Sequence, residues 1–315
     1  MNFWQKTARP VLALAPMAGY TDSAFRQLIR SFSRKVILWS EFVSADALKF
    51  DSKKSKEMLA FARNEQPFVA QIFGKRVENF VEAAKFVESI GAVGVDLNFG
   101  CPAKKVVNSD HGSALLKNPQ LASEIISAVA NSVKIPTSVK MRLGISDDKN
   151  LESFAKMVEN SGAQLLTIHG RTAKQMYHGE ADFAPIYRVK KLVKIPVLGN
   201  GDIDSADKFF AKLGNLDGLM IGRAAVQNPW IFREIENRLA GKTSKTPRTL
   251  RAKIPTILRH ARLLVATKGE KRGMLEMRKF SANYVRGEPN AKKLRASLVR
   301  VEKLAELKKI LIRAV

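Results

Sequence analysis

The sequence predicts an α/β protein: a closed (β/α)8 barrel of the TIM type, followed by a small all-α helical domain. Three observations predict it. Eight short apolar or β-branched runs alternate with segments of helical periodicity up to residue 241. All but the first of those runs have a polar or charged residue within two positions of their C-terminal end. Beyond the breaker-rich stretch Gly241-Lys-Thr-Ser-Lys-Thr-Pro247 the pattern turns helical throughout.

The eight runs cover residues 11–17, 36–42, 68–73, 94–99, 137–141, 165–169, 197–201 and 218–222. Between them, Val77, Phe80, Val81, Ala84 and Val87 recur at helical spacing over residues 77–90, and residues 119–133 repeat the pattern. Strands alternating with helices of this length imply parallel strands with crossover helices, and eight units close a barrel. An open doubly wound sheet would carry a glycine-rich dinucleotide turn after its first strand. Here that turn reads Ala15-Pro-Met-Ala-Gly19, which is not one. The apolar run at residues 11–15 is too short for a secretion signal and is cut by Pro16, so it reads as a buried strand.

A barrel puts its chemistry at the C-terminal strand ends. Those ends read Pro16-Met17-Ala18, Glu41, Gln71, Asn98 with Cys101, Lys140 and Arg142, His169 and Arg171, Asn200-Gly201-Asp202, and Gly222-Arg223. A polar group closing an apolar strand is costly without a partner, and a ring of such groups marks a site.

The helical part is predicted over residues 254–267, 274–285 and 291–315, with Asn290 as N-cap of the last helix. Domain boundaries follow at residues 1–241 and 242–315. Residues 242–315 carry 21 Lys and Arg against 5 Asp and Glu, a net +16 out of +25 for the chain. Charge concentrated in this way implies an anionic partner, with nucleic acid favoured over a membrane surface. No apolar run reaches the ~20 residues of a membrane span. One cysteine and four scattered histidines give no metal-ligand spacing and no internal disulfide. A monomer in a reducing cytoplasm, with no metal and no membrane contact, is expected.

The single cysteine stands in Val95-Asp-Leu-Asn-Phe-Gly-Cys-Pro-Ala-Lys-Lys105, where an apolar strand breaks at Gly100 and Pro102 stiffens the loop. A lone cysteine is often a small buried hydrophobe. A thiol at a strand end beside Lys104 and Lys105 is a candidate reactive group. Asn200-Gly201-Asp202 and Gly222-Arg223 read as a phosphate site, with Arg223 opening a helix. Pro16, Met17, Ala18, Gln71 and Lys140 would line the floor beside it. A flavin suits that set, with Gln71 on the ring's amide-like edge and Lys140 stabilising negative charge.

Together these segments resemble the tRNA-dihydrouridine synthases, most nearly the bacterial B-type branch. The resemblance is carried by Leu14-Ala-Pro-Met-Ala-Gly19 with Thr21-Asp22, Asp96-Leu-Asn-Phe-Gly-Cys-Pro102 and Val139-Lys-Met-Arg-Leu-Gly144. It continues through Ile168-His-Gly-Arg-Thr172, Gly199-Asn-Gly-Asp-Ile203, and Met220-Ile-Gly-Arg223 with Asn228-Pro-Trp230. The resemblance implies an FMN enzyme that reduces the C5–C6 double bond of particular tRNA uridines, with NADPH as electron source. FMN contacts then fall on Pro16, Met17, Ala18, Gln71, Lys140, His169, Asn200, Gly201, Asp202, Gly222 and Arg223, and the proton donor on Cys101. Asn98 is expected to orient the uracil, and Lys104, Arg142 and Arg171 to meet tRNA phosphates or the target base. A thiol is mostly protonated at neutral pH and suits a general acid.

Two departures stand out. Asp110–His111 replaces the small residues and glycine usual after the cysteine, and Gln227 replaces a glycine before Asn228. His111 reads as a surface or loop residue. An FMN barrel acting on a free pyrimidine or other small enone-like substrate is the alternative, against which the basic helical tail argues. A non-catalytic RNA-binding barrel is a third reading, against which the full strand-end ring argues.

Overall fold

The computed structural model describes residues 2–107, 109–243 and 246–315, apart from the side chains of Lys104 and Lys105. Eight strands form one closed, all-parallel barrel in sequence order. They are β1 (Val11–Leu14), β2 (Ile37–Ser44), β3 (Phe68–Phe73), β4 (Gly94–Phe99), β5 (Thr137–Arg142), β6 (Leu165–His169), β7 (Val197–Asn200) and β8 (Gly218–Ile221). Pairing of Val11 with Gly218 through Leu14 with Ile221 closes the ring. The strands stand where the alternation of apolar runs predicts them.

Two apolar cores follow from the two faces of the sheet. Side chains pointing inward, among them Val11, Ala13, Ile37, Trp39, Val69, Leu165, Leu198 and Met220, fill the barrel interior. Trp4, on the short helix Phe3–Lys6, is fully buried and stacks on Trp39 at 5.8 Å, so it plugs the interior. Side chains pointing outward join the crossover helices in the larger core. A β-bulge between Trp39 and Phe42 interrupts the β2–β3 ladder. There the Ser40 hydroxyl accepts from Gln71 N at 2.8 Å, so the bulge is tied into the neighbouring strand.

The helical region packs on the helix Ser23–Arg30 that follows β1. Phe280 stacks on Phe25 at 5.3 Å and meets His260 edge-on at 4.4 Å. Burial pushes the His260 imidazole down to about 4, and its Nδ1 pairs with the Tyr284 hydroxyl at 2.9 Å. Lys268 bridges Asp22 and Glu276, linking this region to the turn after β1.

Two expectations for the tail need correction. The last helix is two helices, Ala291–Leu298 and Leu304–Arg313. Arg278 draws the carbonyls of Val301 and Arg300 out of the helical path, at 2.9 and 3.3 Å, and Glu270 accepts from Leu304 N. Asn290 is left-handed, with φ 55°, and its side chain makes no capping bond.

The most enclosed charge pair lies outside the cleft. Arg26 and Glu65 are both fully buried; Arg26 Nε donates to Glu65 at 2.6 Å, and its Nη atoms donate to the carbonyls of Thr21 and Ala60. Glu65 also accepts from Ser23 and Ala62. Removing one partner leaves a buried charge uncompensated. Glu65→Ala is expected to lower unfolding free energy by about 3–5 kcal/mol in urea titration. An unchanged midpoint would contradict the assignment.

Candidate active site

A cleft of about 640 Å³ opens at the C-terminal ends of the strands. Its lining includes Pro16, Met17, Gln71, Asn98, Cys101, Lys140, Arg142, His169, Arg171, Asn200, Gly201, Asp202, Gly222 and Arg223. Residues separated by more than 200 positions in sequence thus meet in one concavity, as the strand-end ring predicts.

The strand β4 delivers the cysteine through a directed set of hydrogen bonds. Asn98 Oδ1 accepts from Gly100 N at 3.1 Å and from Cys101 N at 2.9 Å. Asn98 Nδ2 donates to Gln71 Oε1 at 3.0 Å, and Gln71 Nε2 donates to Asp96 Oδ2 at 2.6 Å. The other oxygen of Asp96 accepts from Ser138 at 2.6 Å. An ionised carboxylate only accepts, so Asp96 fixes the orientation of both amides and hence the acceptor offered to the Cys101 backbone. Burial pushes the Asp96 carboxyl up to about 6, with Ser138, Gln71 and Lys140 opposing.

The loop beyond is packed from behind. Cys101 O accepts from Ser113 N at 3.1 Å. Gly112 has φ +61°, and a Cβ there would lie 2.9 Å from Cys101 O, so that approach requires glycine. From the other side, Arg142 Nε donates to Gly100 O at 3.0 Å, while its Nη1 donates to the carbonyls of Thr172 and Met176. Burial pushes the Cys101 thiol up, against the lowering effects of Ala103 N–H, Arg142 and Lys140. The thiol therefore keeps its proton at neutral pH.

Lys140 is half-buried in the cleft and has no hydrogen-bond or ion-pair partner among the described residues. Burial lowers it to about 8, and Arg142 acts in the same direction. Glu41 does not pair with it, because its carboxylate accepts from Gly19 N. His169 is driven down to about 2 by burial and by the surrounding cations, so it is neutral.

Several expected contacts have other work. Ala18 is exposed on the turn after β1 and does not line the cleft. The chain folds back there, with Tyr20 N and Thr21 N donating to Met17 O. Arg171 is only 2% exposed; it grips Asp202 at 2.9 and 2.6 Å and donates to the carbonyls of His178 and Gly179. It braces the cleft wall, with its guanidinium committed to these partners. Asp202 also accepts from Ala181 N and Arg223, so its carboxylate is a brace. The helix that Arg223 opens, Arg223–Gln227, is only five residues long, so the positive charge there belongs mainly to the Arg223 side chain. The Lys104 side chain lies outside the described residues.

Tyr177 was not foreseen. It lines the cleft mouth, 55% exposed, with the guanidinium of Arg223 at 4.5 Å and of Arg142 at 5.6 Å from its ring. The only local signal was an aromatic two residues before Gly179 in the loop after β6.

The fold and cleft define a barrel enzyme whose active site is built on strand ends, with a protonated thiol on its rim. The dihydrouridine synthase family model matches residues 13–315, and the chain belongs to that family. It is 41% identical over 296 residues to "tRNA-dihydrouridine synthase B" of Pseudomonas syringae pv. tomato, covering 92% of this chain and 87% of that protein. It is 38% identical over 291 residues to "Probable tRNA-dihydrouridine synthase" of Rickettsia bellii, covering 91% and 89%. Among solved structures, morphinone reductase aligns with TM-score 0.55 at 12% identity, covering 78% of this chain and 94% of that one. Histamine dehydrogenase from Rhizobium sp. 4-9 aligns with TM-score 0.56 at 12% identity, covering 80% and 48%. These two likenesses concern the fold alone.

The Asp96 chain has a measurable pH signature. Between an ordinary value of 3.8 and about 6 the folded state holds the Asp96 proton more tightly than the unfolded chain. Its contribution to stability therefore falls as pH rises through that window, by about 3 kcal/mol. Asp96→Asn keeps an acceptor for Gln71 and removes the charge. Its melting temperature relative to the parent is expected to rise from pH 4 to pH 6 and then level off. A difference independent of pH would contradict the buried, late-titrating carboxylate.

Proposed function

We propose that this chain reduces the C5–C6 double bond of uridines in tRNA as a flavin-dependent oxidoreductase, with FMN bound in the strand-end cleft and NADPH as reductant. The observation that carries the reading is a single one. The chain's only cysteine, held with its proton, stands on the rim of the cleft that contains the unpartnered Lys140.

The residues present fit a flavin. The cleft lies within the ~300–1,000 Å³ range of ligand sites, and Ala15, Pro16, Met17 and Met220 give it an apolar wall. Lys140 offers a donor that nothing among the described residues takes up, suited to the carbonyl-rich edge of the ring. Gln71 and Asn98 each keep one amide N–H beyond those used in the Asp96 chain. Gly201, Gly222 and Arg223 supply the anion-binding end, where a single phosphate, as in FMN, suffices. Cofactor contacts are thus assigned to Pro16, Met17, Gln71, Lys140, His169, Asn200, Gly201, Gly222 and Arg223.

When bound, a reduced flavin supplies a hydride to one carbon of the uracil double bond. The protein must then deliver a proton to the other carbon. Cys101 does so, because burial leaves its thiol protonated at neutral pH. The sulfur anion left behind lies in the field of Arg142 and Lys140, which ease the loss of that proton. Asn98, through the two backbone N–H groups it holds, keeps the thiol at a fixed height over the cleft. Arg142, only 4% exposed, ties Gly100 to the loop after β6; its Nη2, which takes no bond among the described residues, is the part left for the substrate. Residues 1–241 form the catalytic barrel and the basic residues 242–315 the tRNA-binding part.

A free pyrimidine would need no such basic appendage. Deleting residues 243–315 is a poor test, because Phe25, Phe280 and His260 make the helical region part of one buried core. The purified protein is expected to absorb in the flavin region. Cys101→Ala is expected to keep that spectrum and tRNA affinity while dihydrouridine formation drops about 10²- to 10⁴-fold. Turnover unchanged in the variant would remove Cys101 from the mechanism, and a protein that cannot be loaded with flavin would refute the enzyme reading.

A further inference from the structure

The loop after β2 carries a feature that the cleft chemistry does not use. Phe50 is 80% exposed, at the turn between the short helices Ala45–Lys49 and Lys53–Leu59. Single exposed apolar residues are ordinary on protein surfaces. Three observations set this one apart.

The first is that the backbone beneath the ring is firmly held. Phe50 N donates to Asp46 O at 3.2 Å, Asp51 N to Leu48 O at 3.0 Å and Ser52 N to Ala47 O at 3.0 Å. Asp51 is left-handed, with φ 56°, and pairs with Lys56, which also lies 5.7 Å from the Phe86 ring. The ring is carried on a fixed stretch of backbone.

The second is charge. Over residues 46–57, Lys49, Lys53, Lys54 and Lys56 stand against Asp46, Asp51 and Glu57, and Asp51 is paired with Lys56. Lys49, Lys53 and Lys54 are exposed and have no ion-pair partner among the described residues. They are opposed by Asp46 at the base and by Glu57 one turn further on, which leaves a small excess of one positive charge. The tip is net cationic.

The third is position. The tip follows the C-terminal end of β2, on the same face of the barrel as Cys101. Asp46 at its base lies 3.7 Å from His111 Nε2, and His111 precedes the Gly112 that packs on Cys101 O. The base of the tip and the cysteine loop are thus in contact.

We propose that this tip is an RNA contact separate from the helical region: an unpaired nucleotide of the tRNA stacks on Phe50, and Lys49, Lys53 and Lys54 meet the flanking phosphates. The proposal rests on tRNA being the substrate. One ring among lysines offers far too little apolar area for a stable protein interface of ~1,200 Å² or more, whose core would exclude charge. A stacking face flanked by backbone-neutralising cations is what single-stranded nucleic acid requires. The tip thereby grips the substrate on the cysteine side of the cleft.

The test is equilibrium binding of unmodified full-length tRNA across a salt series. It uses the flavin-loaded parent, Phe50→Ala, Phe50→Trp and Lys53→Ala/Lys54→Ala. Phe50→Ala is expected to weaken binding about tenfold at each salt concentration, and Phe50→Trp to restore it. The double lysine variant is expected to flatten the slope of log affinity against log salt by about 1 to 2. Flavin content and RNA-independent flavin reduction by NADPH should match the parent in all variants. If the parent binds and Phe50→Ala and the lysine variant bind equally well with the same slope, the contact is refuted. If Phe50→Ala changes only the oligomeric state, the ring serves a second copy of this chain and the RNA contact is likewise refuted. A parent that binds no tRNA would overturn the substrate reading itself, and this contact with it.

Discussion

One side-chain oxygen, Asn98 Oδ1, accepts from the backbone N–H groups of both Gly100 and Cys101. The geometry of the site depends on that double acceptance. It converts the end of β4 into a fixed turn and sets where the thiol stands. The orientation of Asn98 is not free, because Gln71 takes its amide hydrogen and Asp96 takes the hydrogen of Gln71. A carboxylate buried in the barrel thus dictates the polarity of a chain that ends at the cysteine backbone. Burying that carboxylate is unfavourable, and the bonds from Ser138 and Gln71 offset the cost only in part.

The same constraint shapes the chemistry of the thiol. Cations stand near Cys101, and in an open site they would favour the thiolate. Enclosure by the loop, by Gly112 and by Arg142 outweighs them, and the proton stays on sulfur. Lys140 and His169 respond to the same enclosure in the opposite sense, because burial disfavours their cationic forms. The opposite wall is tied to the helical region. Glu41 holds Gly19, and Lys268 joins Asp22 to Glu276, so the turn after β1 is fixed by both parts of the chain.

Much of this was legible in the sequence, for physical reasons. Parallel strands buried on both faces leave uninterrupted apolar runs, and their polar ends are conspicuous against that background. Spacing alone therefore points to Gln71, Asn98, Cys101, Lys140 and Asn200, all of which line the cleft. Less legible was which way each side chain spends its polar groups. Arg171 and Asp202 lie 31 positions apart and satisfy one another, so neither is the free ligand that its strand-end position suggested. The break in the last helix is imposed by Arg278, more than 20 residues upstream. Ala18 leaves the cleft because of a turn one residue earlier, and Tyr177 enters it on a loop without periodicity. These outcomes depend on tertiary partners that spacing alone does not reveal.

The most direct measurement of the central claim uses the fact that Cys101 is the only cysteine in the chain. The rate of its alkylation by iodoacetamide, followed against pH by mass spectrometry with Cys101→Ala as control, reports the thiolate fraction at that one sulfur. A thiol held as an acid by burial should alkylate slowly at pH 7 and gain reactivity only above the ordinary cysteine value of about 8.5. Fast alkylation persisting down to pH 6 would mean a stable thiolate beside Lys140 and Arg142, and would contradict a proton-donating Cys101.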